Sequence, residues 1–516
     1  MIPVCASIEE AVQAAVELLA LAAGDGTRAA SYRARKRLSL QESFENADVK
    51  EIVAWQAKLG TQVRIARFLL ALEERKSVEE AGAVFGSQGV TASQVEKLRK
   101  IAEGSEFGIR MRIYYYLSRL TKGQVSEELE DQCFRYICDS LYEASIGEAS
   151  KDEAYHIAEP EVRVELPIRV NFGGGWSDTP PYCNEHGGTV LNAAAKLNGI
   201  CPVVVTVKRI EKPCIALAST DSGAYDEFTD LERLQSCRDP FDTYALHKAA
   251  LLACGILPLT EQVPFESILK KLGGGLYLST AVMGIPRGSG LGTSSILAGA
   301  CVKAIFQYIG KEVTENELYS YVLCMEQLMS TGGGWQDQVG GLTNGIKLVT
   351  TKPGLRQDIR VQHLNIPEDA IEELKSRFVL IYTGQRRLAR NLLREVVGSY
   401  IGSSPNSLEV LYEIQRVAVL MKFELEKGNI DGFARLLDQH WELSKRLDGG
   451  STNTCIDQIF LACGDLLAAR MICGAGGGGF LQAVLKKGCT KEELRERIRS
   501  VFQESGVDVW DCELVF

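Results

Sequence analysis

Pro286-Arg-Gly-Ser-Gly-Leu-Gly-Thr-Ser-Ser295 runs without interruption into a long apolar stretch, 294–309. Glycines at 288, 290 and 292 let the backbone come close to a ligand and turn its N–H groups inward. A helix opening near Ser294 adds unpaired N–H groups and the positive end of its dipole, so the segment reads as an anion cradle. Ser289 and Leu291 complete the loop, and the hydroxyls of Thr293, Ser294 and Ser295 suit phosphate oxygens or Mg²⁺. Because 294–309 is nonpolar on nearly every face, it is expected to be a buried helix. A Gly/Ser turn that merely caps such a helix would share this pattern. The loop is not GxxxxGK[ST], and the chain lacks the HRD and DFG signatures, so neither a Walker loop nor a protein kinase fits.

Three further constellations surround this loop. Downstream, Glu326 lies eleven residues before Asp337, separated from it by the glycines 332–334 and Trp335. A helix broken by glycines can return two carboxylates to one site, one as a metal ligand and one near a nucleophile. Upstream, Leu166-Pro-Ile-Arg169-Val-Asn-Phe-Gly-Gly-Gly-Trp176-Ser-Asp178-Thr-Pro-Pro-Tyr182 carries an arginine on a strand straight into a triple-glycine turn. Trp176 offers an apolar face to a sugar ring, and Asp178 offers acceptors to its hydroxyls. Glu185 and His186 close that element. The fourth is Cys473-Gly-Ala-Gly-Gly-Gly-Gly-Phe480, another run suited to close backbone approach.

Around these motifs the texture is that of an ordinary globular chain. Hydrophobic residues make up 46% and charged residues 24% of 516, which excludes disorder and disulfide-stapled miniproteins. A net charge of −10, from 57 basic and 67 acidic residues, argues against a generic nucleic-acid surface. Fifteen cysteines occur without a CxxC pair and with only five histidines, which predicts reduced thiols and no zinc site. No apolar run approaches the length of a membrane span, and the N-terminal residues show no secretory signal. A cytoplasmic protein with no membrane partner is expected.

Residues 1–155 read as helical. Ser7 and Glu10 form a capping box ahead of Ile8, Val12, Ala15, Leu19 and Ala22, and further stripes span 48–75, 94–103, 107–120 and 126–145, the last opened by Ser126. Near Pro160 the pattern turns to alternating strands at 161–166, 168–172, 202–208 and 276–280, with later ones at 378–382 and 512–516. The expected organisation is a helical accessory region over 1–155 and two mixed α/β domains over 156–350 and 351–516.

In this order the elements resemble the three motifs of the GHMP sugar and metabolite kinases: RVNFGGGWSDTPPY the first, PRGSGLGTSSILAG the second and CGAGGGGF the third. The GGGWSDTPP and GGGWQDQVGG forms are most similar to the family's L-fucokinase branch, in particular the kinase half of plant bifunctional enzymes. The resemblance implies an α+β fold with a ribosomal S5 domain 2-like N-lobe and a ferredoxin-like C-lobe. It implies ATP and Mg²⁺ as cofactors, Asp337 as the aspartate that takes the proton of the anomeric hydroxyl, and Arg169 as its orienting partner. Residues Gly288 to Ser295 would bind ATP, and Ser294 and Glu326 would hold the metal. Trp176, Asp178, Glu185, His186, Gly334, Trp335, Gly476 and Gly477 are expected to meet the substrate. The implied product is L-fucose 1-phosphate for GDP-fucose salvage, with a GDP-fucose pyrophosphorylase domain fused or associated. Gly175-Trp176 stands where galactokinases carry Glu-His, so galactose specificity is not implied. The competing expectations are a heptose-phosphate kinase, for which Arg386, Arg387 and Arg390 are candidate phosphate ligands, and a non-catalytic sugar sensor.

Overall fold

The structure, a computed structural model, describes residues 2–516 apart from 47, 146–154, 158, 240, 261, 287, 330–331, 386–389, 475 and 504. It divides into two compact units, Met1–Leu70 and Ala71–Phe516. The first unit is helical, with a two-stranded pairing of Ile2–Pro3 and Arg37–Leu38. Ser7 accepts the Glu10 N–H as expected of an N-cap. The stripe read on that helix is not buried, however: Val12 and Leu19 are exposed, and Ala14 and Glu17 are the covered positions. The reason is local, since Glu17 turns toward Arg35 and Ser31 of the next helical segment.

The second unit contains the helices Ala92–Glu103, Phe107–Leu120 and Gln124–Ser145 together with every remaining sheet. The helical stretch 1–155 is thus split at residue 70, and its later part packs with the mixed α/β body. Gln124–Ser145 begins two residues before Ser126, whose hydroxyl donates to the Ser118 carbonyl instead of capping.

Among the described residues, three sheets build the α/β body. One runs in the order Glu161–Leu166, Val203–Ile210, Gly275–Val282, Ile215–Ser219, Ala224–Phe228. Its Val-rich inner face packs on the helix Thr293–Tyr308, which is buried on most faces as its composition requires. The second sheet centres on Thr189–Leu197, which pairs with Ile168–Gly173, Ile346–Thr350 and Cys512–Leu514. The third orders Leu467–Ile472, Phe480–Leu485, Phe378–Thr383 and Val507–Trp510, all antiparallel. Leu514 therefore returns the end of the chain to a sheet of the N-terminal half, where it pairs with Ala195. One continuous core includes Phe172, Leu191 and Ile346 on one side and Phe378, Phe433 and Leu481 on the other. The second and third glycine loops meet closely: a Cβ on Gly290 would lie 2.3 Å from the Cys473 carbonyl oxygen, and one on Gly479 2.4 Å from that of Ser289.

Candidate active site

Arg169 sits on the strand Ile168–Gly173 with 2% of its surface exposed. Its Nε and Nη2 both reach Oδ1 of Asp337 at 2.7 Å, and its Nη1 donates to the Gly290 carbonyl at 3.0 Å. One guanidinium therefore ties the first motif to the carboxylate and to the glycine loop. Asp337 lies in the first turn of the helix Gln336–Leu342 and keeps about a quarter of its side chain exposed.

The loop 288–292 rises beside this pair. Gly292 has a φ of 72° and leads into the helix Thr293–Tyr308. A Cβ there would lie 2.9 Å from Cγ of Asp337 and 3.1 Å from Nε of Arg169, so only glycine lets the three elements meet. Ser289 and Leu291 are buried, while Gly288, Gly290 and Thr293 are half-buried and Ser294 is exposed at the helix start. The third motif interlocks from the other side: the Phe480 N–H donates to the Ser289 carbonyl at 2.9 Å. Gly476 is buried, and the N–H of the half-buried Gly477 is taken by the Ser451 carbonyl at 3.1 Å.

Glu326, 4% exposed, accepts from the Ser295 hydroxyl at 2.6 Å. The hydroxyl that meets this carboxylate is thus Ser295's, one position beyond Ser294, because consecutive residues of a helix point about 100° apart. One carboxylate with a neighbouring hydroxyl, beside an anion cradle, is a donor set that suits Mg²⁺, which takes one or two carboxylates and completes its shell with phosphates and water.

Asp178 is buried at 1% exposure, and both of its oxygens are occupied by one residue. Oδ2 accepts the Gln336 backbone N–H at 3.1 Å and Oδ1 accepts the Gln336 side-chain amide at 2.8 Å. Burial, followed by the neighbouring charge of Asp337, pushes its carboxyl up to about 7. Asp178 therefore holds the turn that presents Asp337. Gly334 belongs to the same device, since a Cβ there would fall 2.0 Å from Oδ2 of Asp178. Trp335, expected to meet the substrate, is fully buried and packs with Val190, Tyr319, Leu323 and Val339, which makes it an anchor of the loop. Trp176 is half-buried, with a φ of 76°, and lines a small cavity with Tyr182 and Tyr400. Glu185 and His186 face a ring of aromatic and cationic side chains: Glu185 meets Arg112, and His186 shares a hydrogen bond with Tyr412 at 3.0 Å. Arg386 and Arg387 lie outside the described residues, as does the side chain of Arg390.

Several residues with a part in this arrangement carry no motif of their own. His440, buried in the helix Ile430–Leu447, accepts the Gly174 N–H at 2.9 Å through Nε2 and so pins the triple-glycine turn. Burial lowers its ring to about 4, which leaves it the neutral acceptor this bond needs. Gln482 donates to the Asn171 and Ile472 carbonyls and joins the two halves beneath the site. Lys347 is fully buried, and its Nζ donates to the carbonyls of Gly340 and Gly345 at 3.2 Å each, beneath the short helix of Asp337.

Residues 264–345 match the family described as GHMP kinases N terminal domain. This segment is a GHMP kinase N-terminal domain. It contains the glycine loop, Glu326 and Asp337, and Arg169 reaches it from outside. Over 379 residues the chain is 35% identical to the L-fucokinase/L-fucose-1-P guanylyltransferase of Bacteroides fragilis, covering 73% of this chain and 39% of that protein. Over 383 residues it is 33% identical to the bifunctional fucokinase/GDP-fucose pyrophosphorylase of Arabidopsis thaliana, covering 73% and 35%. The chain thus spans less than two fifths of either relative's length. The mevalonate kinase of Methanococcus jannaschii superposes with a TM-score of 0.52 at 17% identity, covering 70% of this chain and all of that one. That likeness shows the GHMP kinase fold for the α/β body. No helix among the described residues is long and apolar enough to cross a membrane.

Proposed function

We propose that this chain is an ATP-dependent sugar 1-kinase that converts L-fucose to L-fucose 1-phosphate. The observation that carries the reading is the Arg169–Asp337 pair, set 2.7 Å apart against the glycine loop of an anion cradle. Phosphoryl transfer demands in-line placement and charge stabilisation more than covalent help. Asp337 receives the anomeric O–H of the sugar, and Arg169 fixes the carboxylate while bringing positive charge to the phosphoryl group in transit. The N–H groups of 288–295 take the phosphates of ATP. Mg²⁺, when bound, neutralises those phosphates, and Glu326 with the hydroxyls of Ser294 and Ser295 would hold it. Asp178, Gly334 and Trp335 keep the Asp337 turn in place, and Trp176 stands at the sugar.

L-fucose is favoured because both relatives carry fucokinase in their names and are 35% and 33% identical to this chain over 379 and 383 residues. The apolar surround of Trp176 suits the methyl group of a neutral 6-deoxy sugar. Both relatives also carry a second, nucleotide-transferring activity in their names, so a fused or associated GDP-fucose pyrophosphorylase is the expected partner, in the cytoplasm. Initial rates with ATP on L-fucose, D-arabinose, galactose and heptose 7-phosphate test the reading. L-fucose should give the highest kcat/KM; preference for the heptose phosphate would replace it.

A further inference from the structure

Arg112, on the helix Phe107–Leu120, donates from both terminal nitrogens to Glu185, Nη1 to Oε1 at 2.8 Å and Nη2 to Oε2 at 2.7 Å. The arginine is 2% exposed, and its Nη1 also donates to the Gly108 carbonyl at 2.9 Å. Arg75 lies 3.2 Å from Oε2 of Glu185 and donates to the Tyr400 hydroxyl at 3.2 Å. That hydroxyl in turn donates to Glu185. Burial raises the Glu185 carboxyl, but Arg112, then Tyr400 and Arg75, more than reverse this and bring it down to about 2. A buried bidentate pair adds little stability over an apolar contact of the same volume, yet it fixes the angle between the groups it joins.

What it fixes here is the loop that carries Trp176 and Asp178. Tyr400 lines the cavity that Trp176, Thr179, Tyr182, Val396 and Leu411 share. Tyr182 meets Tyr400 edge-on at 5.4 Å; it is 2% exposed, and its hydroxyl has no hydrogen-bond partner among the described residues. Trp176 and Thr179 flank Asp178, whose carboxylate holds Gln336 beside Asp337. The cavity therefore starts in the loop that also orders the catalytic carboxylate, and its far side is set by a residue of the helical layer.

We infer that Arg112 is a positioning residue for sugar recognition: through Glu185 and Tyr400 it fixes the loop 174–186, which carries Trp176 and Asp178. The helix Phe107–Leu120 is then part of the sugar site and not an accessory to it. This rests on the reading that the loop after Arg169 faces the sugar.

The test is steady-state kinetics of the full chain, performed on whichever sugar the wild type turns over best, so that a wrong choice of sugar and a wrong role for Arg112 give different results. Arg112→Met should raise the sugar KM about tenfold while kcat and the ATP KM move less than about twofold. Arg112→Lys should restore part of the loss. Tyr400→Phe, which keeps the ring and removes the hydroxyl, should shift the sugar KM in the same direction and combine less than additively with Arg112→Met. If Arg112→Met does not fold, the lysine and phenylalanine variants decide. An unchanged sugar KM in folded variants, or equal shifts in the sugar and ATP KM, would overturn the inference.

Discussion

Arg169 and Asp337 meet through a single carboxylate oxygen. Nε and Nη2 of the arginine both lie 2.7 Å from Oδ1, and the other oxygen carries no protein hydrogen bond among the described residues. An aspartate held by one oxygen presents a fixed second acceptor, which is what an incoming hydroxyl requires.

Asp337→Asn keeps the shape of that side chain and removes its charge. The expected result is a fall in kcat of about 10²–10⁴-fold, the range associated with loss of a positioned acid or base. The unfolding midpoint and the nucleotide dissociation constant should stay near those of the wild type. Rates and nucleotide titration on the same preparation check it; a variant keeping a large fraction of kcat would remove Asp337 from its role.

Gly292→Ala tests the three-way approach of loop, arginine and aspartate. Its Cβ would stand 2.9 Å from Cγ of Asp337, on a residue whose φ is 72°. Strain of this kind costs about 1–3 kcal/mol. Urea unfolding should show that loss, and kcat should fall further than stability alone accounts for, because the side chain displaced is Asp337. Full activity in this variant would contradict the described packing.

Much of this was legible in the sequence, and the failures have identifiable causes. The four glycine-bearing runs come together where close approach leaves no room for a Cβ, as at Gly292 beside Asp337 and Gly334 beside Asp178. The strands and the buried helix Thr293–Tyr308 follow from periodicity and composition. What a motif does not reveal is which way its side chains turn. Trp335 reads as a residue that meets the substrate, yet it is packed among Val190, Tyr319 and Val339. Asp178 reads as an acceptor for substrate hydroxyls, yet Gln336 occupies it. Ser294 and Ser295 differ only in helical phase, and Ser295 is the one that reaches Glu326. Arg112 and Glu185 are 73 residues apart in different elements, and nothing local in either segment announces the pair.

The turn holding Asp337 should titrate through Asp178. In the folded chain its carboxyl lies at about 7 against an ordinary value of 3.8, so the folded state keeps a proton that the unfolded state has released. Stability therefore falls as pH rises between these values. Asp178→Asn has no such proton, so its unfolding free energy relative to wild type should climb from about pH 4 to about pH 7 and then level off. The variant should also lose kcat, since Gln336 and Asp337 share the turn. Parallel stability–pH curves would argue against the buried carboxyl.

Lys347 predicts the opposite slope in the next window. Burial brings its ammonium down to about 7 from 10.5, so above neutrality the unfolded state binds the proton that the folded state has lost. Wild-type stability should rise relative to Lys347→Met from about pH 7 to about pH 10. Denaturant unfolding of both proteins across that range checks it, and a constant difference would contradict it.

The most direct test of the central claim is phosphorus NMR of the product formed from ATP and L-fucose in the presence of Mg²⁺. One new phosphate resonance coupled to the anomeric proton should appear with the wild type, and should grow at least about 100-fold more slowly with Asp337→Asn. A phosphate at any other carbon, or the same product formed at the wild-type rate by the Asp337→Asn variant, would contradict it.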